Sequence, residues 1–479
     1  MPELVNLIIT AGDAIRSSGH ESDVDVHDVL VIGAGPCGLA VAARLLEHTP
    51  SALFTDEEHG RFHWINRHGG RMSVKPAKNS KKQTNKRQTQ QQATGKEERG
   101  DAPYSILVLD DTANTWLARW HRHFATLDIS HLRSPMFFHV DPQDRDALLA
   151  YTHEQGRDGE SRESKGCVGK ELTKHTRKKR AKAKQPSEPL IDEQDRKDYF
   201  VPTQTLFAGH CERVASRYGL SPGGSAACSL RKARVVDIEY SGFPALEPDA
   251  KLFSVRTDDG TVRHARTVVL AVGAANAPCI PPSILTRLDP AAASSHSRGE
   301  VRMCHAMQIT AFPDPVVRSK IRNHQDTNIL IVGGGLTAAQ LALLAIKRGV
   351  SRVWMVTRGP SWRVKPFDVD LEWMGKFRNL PRAAFWQLDS DEERLQRIRD
   401  ARGGGSVTPD YMKSLLEQVR TGRLYRMRGW KRAPDGLHLL RYGRRDQLRS
   451  AGLSARHAQS VSYPLPRRTA LLERRPNVE

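Results

Sequence analysis

The chain has 479 residues, enough for two or three domains with separate cores. With 38% hydrophobic residues, no run near the ~18 apolar residues of a membrane helix, and six cysteines without a CxxC pair, it reads as globular. The cysteine spacing excludes a disulfide framework, a zinc ribbon and a redox dithiol. The formal net charge of +20 is local: residues 71–99 carry +7, 161–186 carry +8 and 420–479 carry +11, which leaves the remainder at −6. A nucleic-acid-binding body is not expected from that distribution.

The first residues, Met1 to Asp23, hold a short apolar patch but no basic leader, so no signal peptide is expected and the cytoplasm is the default location. Val29–Leu46 passes from a β-branched apolar run through Gly33-Ala-Gly35-Pro-Cys-Gly38 into helical spacing. This is GxGxxG after a strand and at the head of a helix. Gly33 permits the tight turn, Gly35 admits a pyrophosphate, Gly38 lets helix and strand pack, and the helix N-terminus favours negative charge. A dinucleotide site is expected here, rather than a merely structural glycine turn.

Such a site needs an acid at the end of the second strand to accept from ribose hydroxyls. Asp56 has the linear spacing but follows a poor strand, whereas Asp110 ends the strong strand Ile106–Asp110 far downstream. We favour Asp110, with Asp111 its neighbour and rival; a surface turn carboxylate is the plainer reading of each. The Lys- and Gln-rich stretch at about 71–100 between them is expected to be a disordered insertion, as is a second one at about 155–190. The latter contains Arg177–Lys184, which a nuclear address would resemble, although a solvated loop is the simpler reading. His121 and His123 have no third partner at metal-site spacing, so no metal is expected.

Order is expected again from Tyr199, with a helix over Thr205–Tyr218 and strands over Ala233–Tyr240, Leu252–Thr257 and Thr267–Val272, the last running into Gly273. A Pro- and Ser-rich linker covers 277–299. Asn328–Ala345 then repeats strand, glycines and helix as Gly333-Gly-Gly335-Leu-Thr-Ala338, the GxGxxA form. Its second strand, Arg352–Thr357, is followed by Arg358 instead of an acid. An arginine there attracts a 2′-phosphate and favours NADPH over NADH, unless Arg358 is an ordinary surface residue. Helices are expected over Asp368–Lys376, Ser390–Asp400 and Pro409–Arg420, and an irregular Arg-rich tail beyond Trp430.

GAGPCG, WLARW, HLRSPMFFH, DYFVPTQTLF, LAVG and IVGGGLTAAQ follow one another in an order that resembles the flavin-dependent N-hydroxylating monooxygenases, the ornithine and lysine N-hydroxylases of siderophore synthesis. It is similar also to fungal oxidoreductases of that type and, more distantly, to oxidative-stress-induced growth inhibitors. The resemblance covers about 28–420 without the insertions. It implies FAD at the first glycine motif and NADPH at the second. It implies further that reduced flavin takes up dioxygen and that the C4a-hydroperoxide passes one oxygen to an amine or other small metabolite. It also suggests a homo-oligomer and places Arg133 and Ser134 of HLRSP on the flavin side, although a packed turn explains them equally. Three positions differ from the family pattern. Leu127 stands where the hydroxylases have a carboxylate-binding lysine, and Cys304-His305-Ala-Met-Gln keeps only the histidine of an HSSxY-type segment. No ATG-type strand follows Trp430, so a flavin site without its closing segment is expected. His305 is accordingly either a flavin neighbour or, more commonly, a structural histidine.

The expected architecture is α/β, with two Rossmann-like dinucleotide-binding domains interrupted by low-complexity insertions. The FAD domain would span 28–275, a linker and crossover 276–327, the NADPH-binding and substrate-side region 328–430, and the irregular tail 431–479.

Overall fold

The computed structural model describes residues 7–10, 25–48, 104–164, 167, 193–221, 227–243, 250–273, 278, 280, 303–359, 361–374, 378–428, 430–433 and 436–439. Asp56, the stretch 71–100, Arg177–Lys184 and the tail beyond 439 lie outside the described residues.

In chain order the strands and helices are β1 (Leu7–Thr10), β2 (Val26–Ile32), α1 (Pro36–Leu46), β3 (Ile106–Asp110), α2 (Ala118–Thr126), α3 (Ala147–Glu154), β4 (Ser161–Glu163), β5 (Phe200–Pro202), α4 (Gln204–Arg217), β6 (Cys228–Lys232), β7 (Val235–Gly242), β8 (Lys251–Thr257) and β9 (Val262–Leu270). There follow α5 (Pro315–Arg322), β10 (Asn328–Val332), α6 (Leu336–Lys347), β11 (Arg352–Thr357), α7 (Asn379–Trp386), α8 (Asp391–Arg402), α9 (Pro409–Arg420), β12 (Leu424–Arg428), β13 (Trp430–Ala433) and β14 (Gly436–Leu439). The chain divides into two compact units. Unit 1 comprises Met1–Ile280, Arg302–Phe312 and Val364–Asp410; unit 2 comprises Pro281–Val301, Pro313–Arg363 and Tyr411–Glu479.

Unit 1 is built on a seven-stranded sheet in the order β6-β3-β2-β9-β8-β7, with β1 pairing antiparallel to β9. β6, β3, β2 and β9 run parallel, whereas β7 and β8 form an antiparallel ribbon on the far side of β9. A parallel strand buried on both faces reads as a continuous apolar run, as Val29–Ile32 and Ile106–Leu109 do. Val29, Val31, Ile106, Val108 and Val269 pack on one face; Leu30, Leu107, Leu109, Phe253, Val255 and Val268 fill the other. A third cluster joins Leu39, Ala42 and Ala43 of α1 to Trp120, Met136, Leu148, Leu206, Phe207 and Val214. α4 starts because Thr203 is in an extended conformation and its hydroxyl accepts from Leu206 N at 3.2 Å, satisfying an otherwise orphaned helix donor.

The first part of the stretch expected at about 155–190 to be a disordered insertion lies among the described residues. Residues 155–164 are ordered: Ser161–Glu163 pairs antiparallel to Phe200–Pro202, and Arg157 makes two bonds to Glu160, at 2.6 and 2.7 Å. Those contacts are long-range or between polar groups, so no apolar period announces them.

The segment 364–410, expected within the second nucleotide-binding region, belongs to unit 1. Phe367 and Met374 are buried with Phe137, Tyr199 and Val201. Of the helix expected over Asp368–Lys376, the described residues 368–374 hold one short 3₁₀ turn, Leu371–Trp373. Asp368 and Asp370 are drawn into ion pairs with Arg133, Arg402 and Lys365, and those carboxylate contacts compete with continuous helix.

Unit 2 contains a parallel sheet in the order β10-β11-β12, with α6 crossing from β10 to β11 and packing on both. The β13–β14 hairpin follows β12, where an irregular tail was expected. No described helix is long and apolar enough to cross a membrane.

Candidate functional site

The first glycine loop joins β2 to α1. Gly33 has φ +113°, and a Cβ there would lie 2.4 Å from the Ala271 carbonyl oxygen. A Cβ on Gly38 would lie 2.0 Å from Gly33 O, so both positions exclude any side chain. Gly35 differs: its Cβ would meet nothing within 4 Å. Two glycines are therefore demanded by the protein's own packing, and the third leaves an open cradle at the start of α1. α1 has no acid in its first turn, so nothing negative competes for its N-terminus. A pyrophosphate fits such a cradle.

Three long-range bonds hold the loop. Gly33 N donates to Leu109 O at 2.8 Å, Ala34 N to Asp110 Oδ2 at 2.9 Å, and Leu117 N to Ala34 O at 2.8 Å. Asp110 Oδ1 also accepts from Thr112 N at 2.8 Å. The carboxylate is thus oriented at the loop and keeps acceptor capacity for ribose hydroxyls. Asp111 is spent elsewhere, in an ion pair with Arg119 at 2.6 Å. Leu117 is a residue that sequence reasoning missed. Buried and held at φ +62°, it has a backbone that L side chains rarely adopt, and it lies directly against the loop. Its signal was WLARW, whose local pattern says nothing about φ.

Ala271, just past the end of β9, donates to Ile32 O at 2.9 Å while its own carbonyl faces Gly33, so the strand leading to Gly273 does lie beside the loop. Gly273 itself has φ +59°.

Arg133 lies at the centre of a bonded cluster. Its guanidinium is buried and committed to Ser406 Oγ at 2.7 Å, Phe367 O at 2.9 Å, Lys365 O at 3.0 Å and Asp368 Oδ1 at 3.2 Å. It clasps the 364–407 segment into unit 1, and burial lowers its pKa despite Asp368. These bonds match the packed-turn reading of Arg133, since a planar guanidinium suits a cluster of carbonyls and oxygens. Ser134 beside it is half-buried. His305 is likewise a cap: Nδ1 accepts from Met307 N at 3.2 Å, and its backbone N–H donates to Gln308 Oε1 at 2.8 Å. That closes a capping box on one short turn, which is the structural reading of the histidine. Leu127 terminates α2.

The second loop joins β10 to α6. Gly333 has φ +150° and donates to Val356 O at 2.9 Å; a Cβ on it would be 3.4 Å from Cβ of Ala338, which occupies the place of Gly38 and is buried. Gly335 caps α6, again with no acid in the first turn. The registers of the two loops match. Ile32 pairs with Leu109 and Val332 with Val356, so the residue equivalent to Asp110 is Thr357. Arg358 is one position further on and exposed. Thr357 is 3% exposed, and its methyl would lie 3.4 Å from a Cβ on Gly334.

No family model matches this chain, and no curated protein matches it. Among solved structures it is similar to an ornithine hydroxylase, PvdA, from Pseudomonas aeruginosa at 17% identity, over 87% of this chain and 76% of that one, with TM-score 0.43. An ornithine N-hydroxylase from Kutzneria sp. 744, in a structure with reduced FAD, NADP+ and L-ornithine, gives 15% identity over 88% and 77%, TM-score 0.43. A cadaverine monooxygenase from Erwinia amylovora bound to FAD, DfoA, gives 14% over 86% and 74%, also with TM-score 0.43.

Proposed function

We propose that the chain is an FAD- and NADPH-dependent oxidoreductase of the monooxygenase type, with FAD on unit 1 and NADPH on unit 2. The observation that carries this reading is the pair of register-equivalent glycine loops, one faced by the carboxylate of Asp110 and the other by the neutral Thr357. An acid at the strand end suits ribose hydroxyls; its replacement by a neutral group removes the repulsion of a 2′-phosphate. In unit 1, Gly35 and the α1 N-terminus would take the pyrophosphate and Asp110 the ribose. In unit 2, Gly335, the α6 N-terminus and Arg358 would take the second dinucleotide.

When bound, the flavin supplies hydride acceptance and the activation of dioxygen. The chain's own residues bind and orient: Asp110 holds its loop, Leu117 pins that loop to the start of α2, and Arg133 keeps the 364–407 segment in unit 1. The substrate we propose is an amine of an amino acid or another small metabolite, on the strength of the motif order that resembles the N-hydroxylases. Oligomerisation is part of the same proposal.

One set of observations favours a second reading, a flavoprotein with weak or uncoupled turnover or a regulatory role. Arg133 and His305 serve the fold, and Leu127 supplies no charge for a substrate carboxylate. The experiment follows NADPH oxidation by the purified, FAD-loaded protein with ornithine, lysine and other amines, scoring hydroxylated product and hydrogen peroxide. Amine-dependent hydroxylation supports the monooxygenase. Flavin reduction that yields only peroxide sinks the amine assignment, and failure to retain FAD sinks the cofactor reading.

A further inference from the structure

Arg426 lies in β12, opposite Met355 of β11, and its side chain is buried with only 4% exposure. Its guanidinium runs toward the C-terminal end of β11, donating to Thr357 Oγ1 at 3.4 Å and to Gly359 O at 3.3 Å. It also stacks over the ring of the buried Trp362, 4.6 Å from the centroid. Thr357 Oγ1 in turn donates to Gly359 O at 3.3 Å, and the Thr357 methyl packs toward Gly334 of the glycine loop. One buried cation therefore grips the strand end, the residues that follow it and, through Thr357, the dinucleotide loop.

The equivalent place in unit 1 is apolar. Val108 pairs with Leu230 in the register in which Met355 pairs with Arg426. Unit 1 thus has a carboxylate at the strand end with leucine beneath it, and unit 2 has a hydroxyl with a guanidinium beneath it. Placing a charge inside a sheet is costly unless it is bonded and stacked, as Arg426 is. The strand end thus carries an acid in unit 1, with Lys232 as its register partner, and a hydroxyl bonded to a buried cation in unit 2.

We propose that Arg426 is the positioning residue that makes unit 2 select a dinucleotide with a phosphate on its adenosine ribose. It acts by holding Thr357 and Gly359 and by adding buried positive charge beneath them, and the exposed Arg358 contributes less. This inference rests on the reading of unit 2 as a coenzyme site and names what sets its preference.

The test measures equilibrium dissociation constants of the full-length protein for NADP+ and NAD+, with the flavin in place, for wild type, Arg426→Met, Arg426→Lys, Arg358→Ala and Thr357→Asp. The expected result for Arg426→Met is NADP+ affinity lowered about tenfold or more with NAD+ affinity changed less than about threefold, which a charge-assisted contact implies. Arg426→Lys keeps the charge without the fork and should recover part of the ratio; Arg358→Ala should move it less than Arg426→Met. Thr357→Asp recreates the strand end of unit 1 and should invert the preference toward NAD+, a readout that stands even where Arg426→Met does not fold. A parallel loss of both affinities in Arg426→Met would mean a purely structural arginine. An unchanged ratio in Thr357→Asp, or a ratio governed by Arg358→Ala alone, would also overturn the proposal. Wild-type protein that binds neither coenzyme would overturn the coenzyme reading itself and this inference with it, an outcome distinct from the others because no variant is needed to see it.

Discussion

Unit 1 and unit 2 form the same turn after the same kind of strand, and they differ in what surrounds it. In unit 1 the loop is locked from three sides, by Leu109 O, the Asp110 carboxylate and Leu117 N–H, and a backbone carbonyl closes on Gly33. In unit 2 the Leu109 bond has a counterpart in Gly333 N to Val356 O, and the carboxylate is replaced by Thr357 braced from below by Arg426. Gly38 faces a carbonyl so close that no Cβ fits; Ala338 fills the same place with a methyl. The motif thus specifies a turn, whereas the polar groups around it decide which nucleotide that turn suits.

The largest expected effect tests the steric half of this comparison. Gly38→Ala drives a Cβ into Gly33 O and should destabilise unit 1 by about 3 kcal/mol with loss of FAD retention, read by denaturant melts and flavin absorbance. Retained flavin and an unchanged melt would show that the loop can yield.

Arg133→Ala comes next. It removes the donor to Ser406 Oγ and to the carbonyls of Lys365, Phe367 and Ser406, leaves Asp368 with Arg402 alone, and should cost about 3 kcal/mol, with hydrogen exchange rising first over 364–407. Lysine should not restore the protection, since a single ammonium cannot reach the same acceptors.

Acid separates the units as well. His210 of α4 is buried at 1% exposure, and burial holds its pKa well below the ordinary value, helped by the nearby His139 and by Arg217 and Arg213. Burial lowers His139 too, partly offset by its bond to the Arg145 carbonyl and by Asp141, Asp144 and Asp146. Both bind protons less readily folded than unfolded. Their contribution to stability is therefore complete above the unfolded pKa of about 6.5 and is lost as pH falls from there toward the folded values, at up to about 1.4 kcal/mol per pH unit per histidine. Unit 1 should show the greater rise in hydrogen exchange between pH 7.5 and 5.5, and His210→Phe should reduce that pH slope; an unchanged slope would remove His210 from the account.

Asp110→Asn should weaken FAD binding about tenfold, or about 1.4 kcal/mol, because the amide keeps one acceptor and loses the charge. Equal flavin affinity would leave Asp110 as a loop brace only. The smallest effect is expected for Ala338→Gly, which brings unit 2 to the unit 1 sequence and should cost about 1 kcal/mol through helix propensity alone, measured by thermal melts.

Much of the fold was legible in the chain itself. Strands Ile106–Asp110, Asn328–Val332 and Arg352–Thr357 and helix Pro409–Arg420 stand where their apolar runs and spacing place them. Asp110, chosen for the quality of its strand, does reach the glycine loop. The helix expected over Asp368–Lys376 failed because its acids answer to Arg133 and Arg402, far away in sequence or on another element.

The sequence by itself determined the two glycine turns and the strands and helices that flank them, since these depend on backbone torsion, side-chain size and apolar period within a few residues. Only the tertiary structure decided that Thr357 rather than Arg358 is the counterpart of Asp110, that Arg426 lies beneath it, and which groups Arg133 and His305 bond. Those facts depend on strand register and on hydrogen bonds between residues up to 273 positions apart. No local pattern encodes such partners, because a buried guanidinium and a surface one have the same neighbours in sequence.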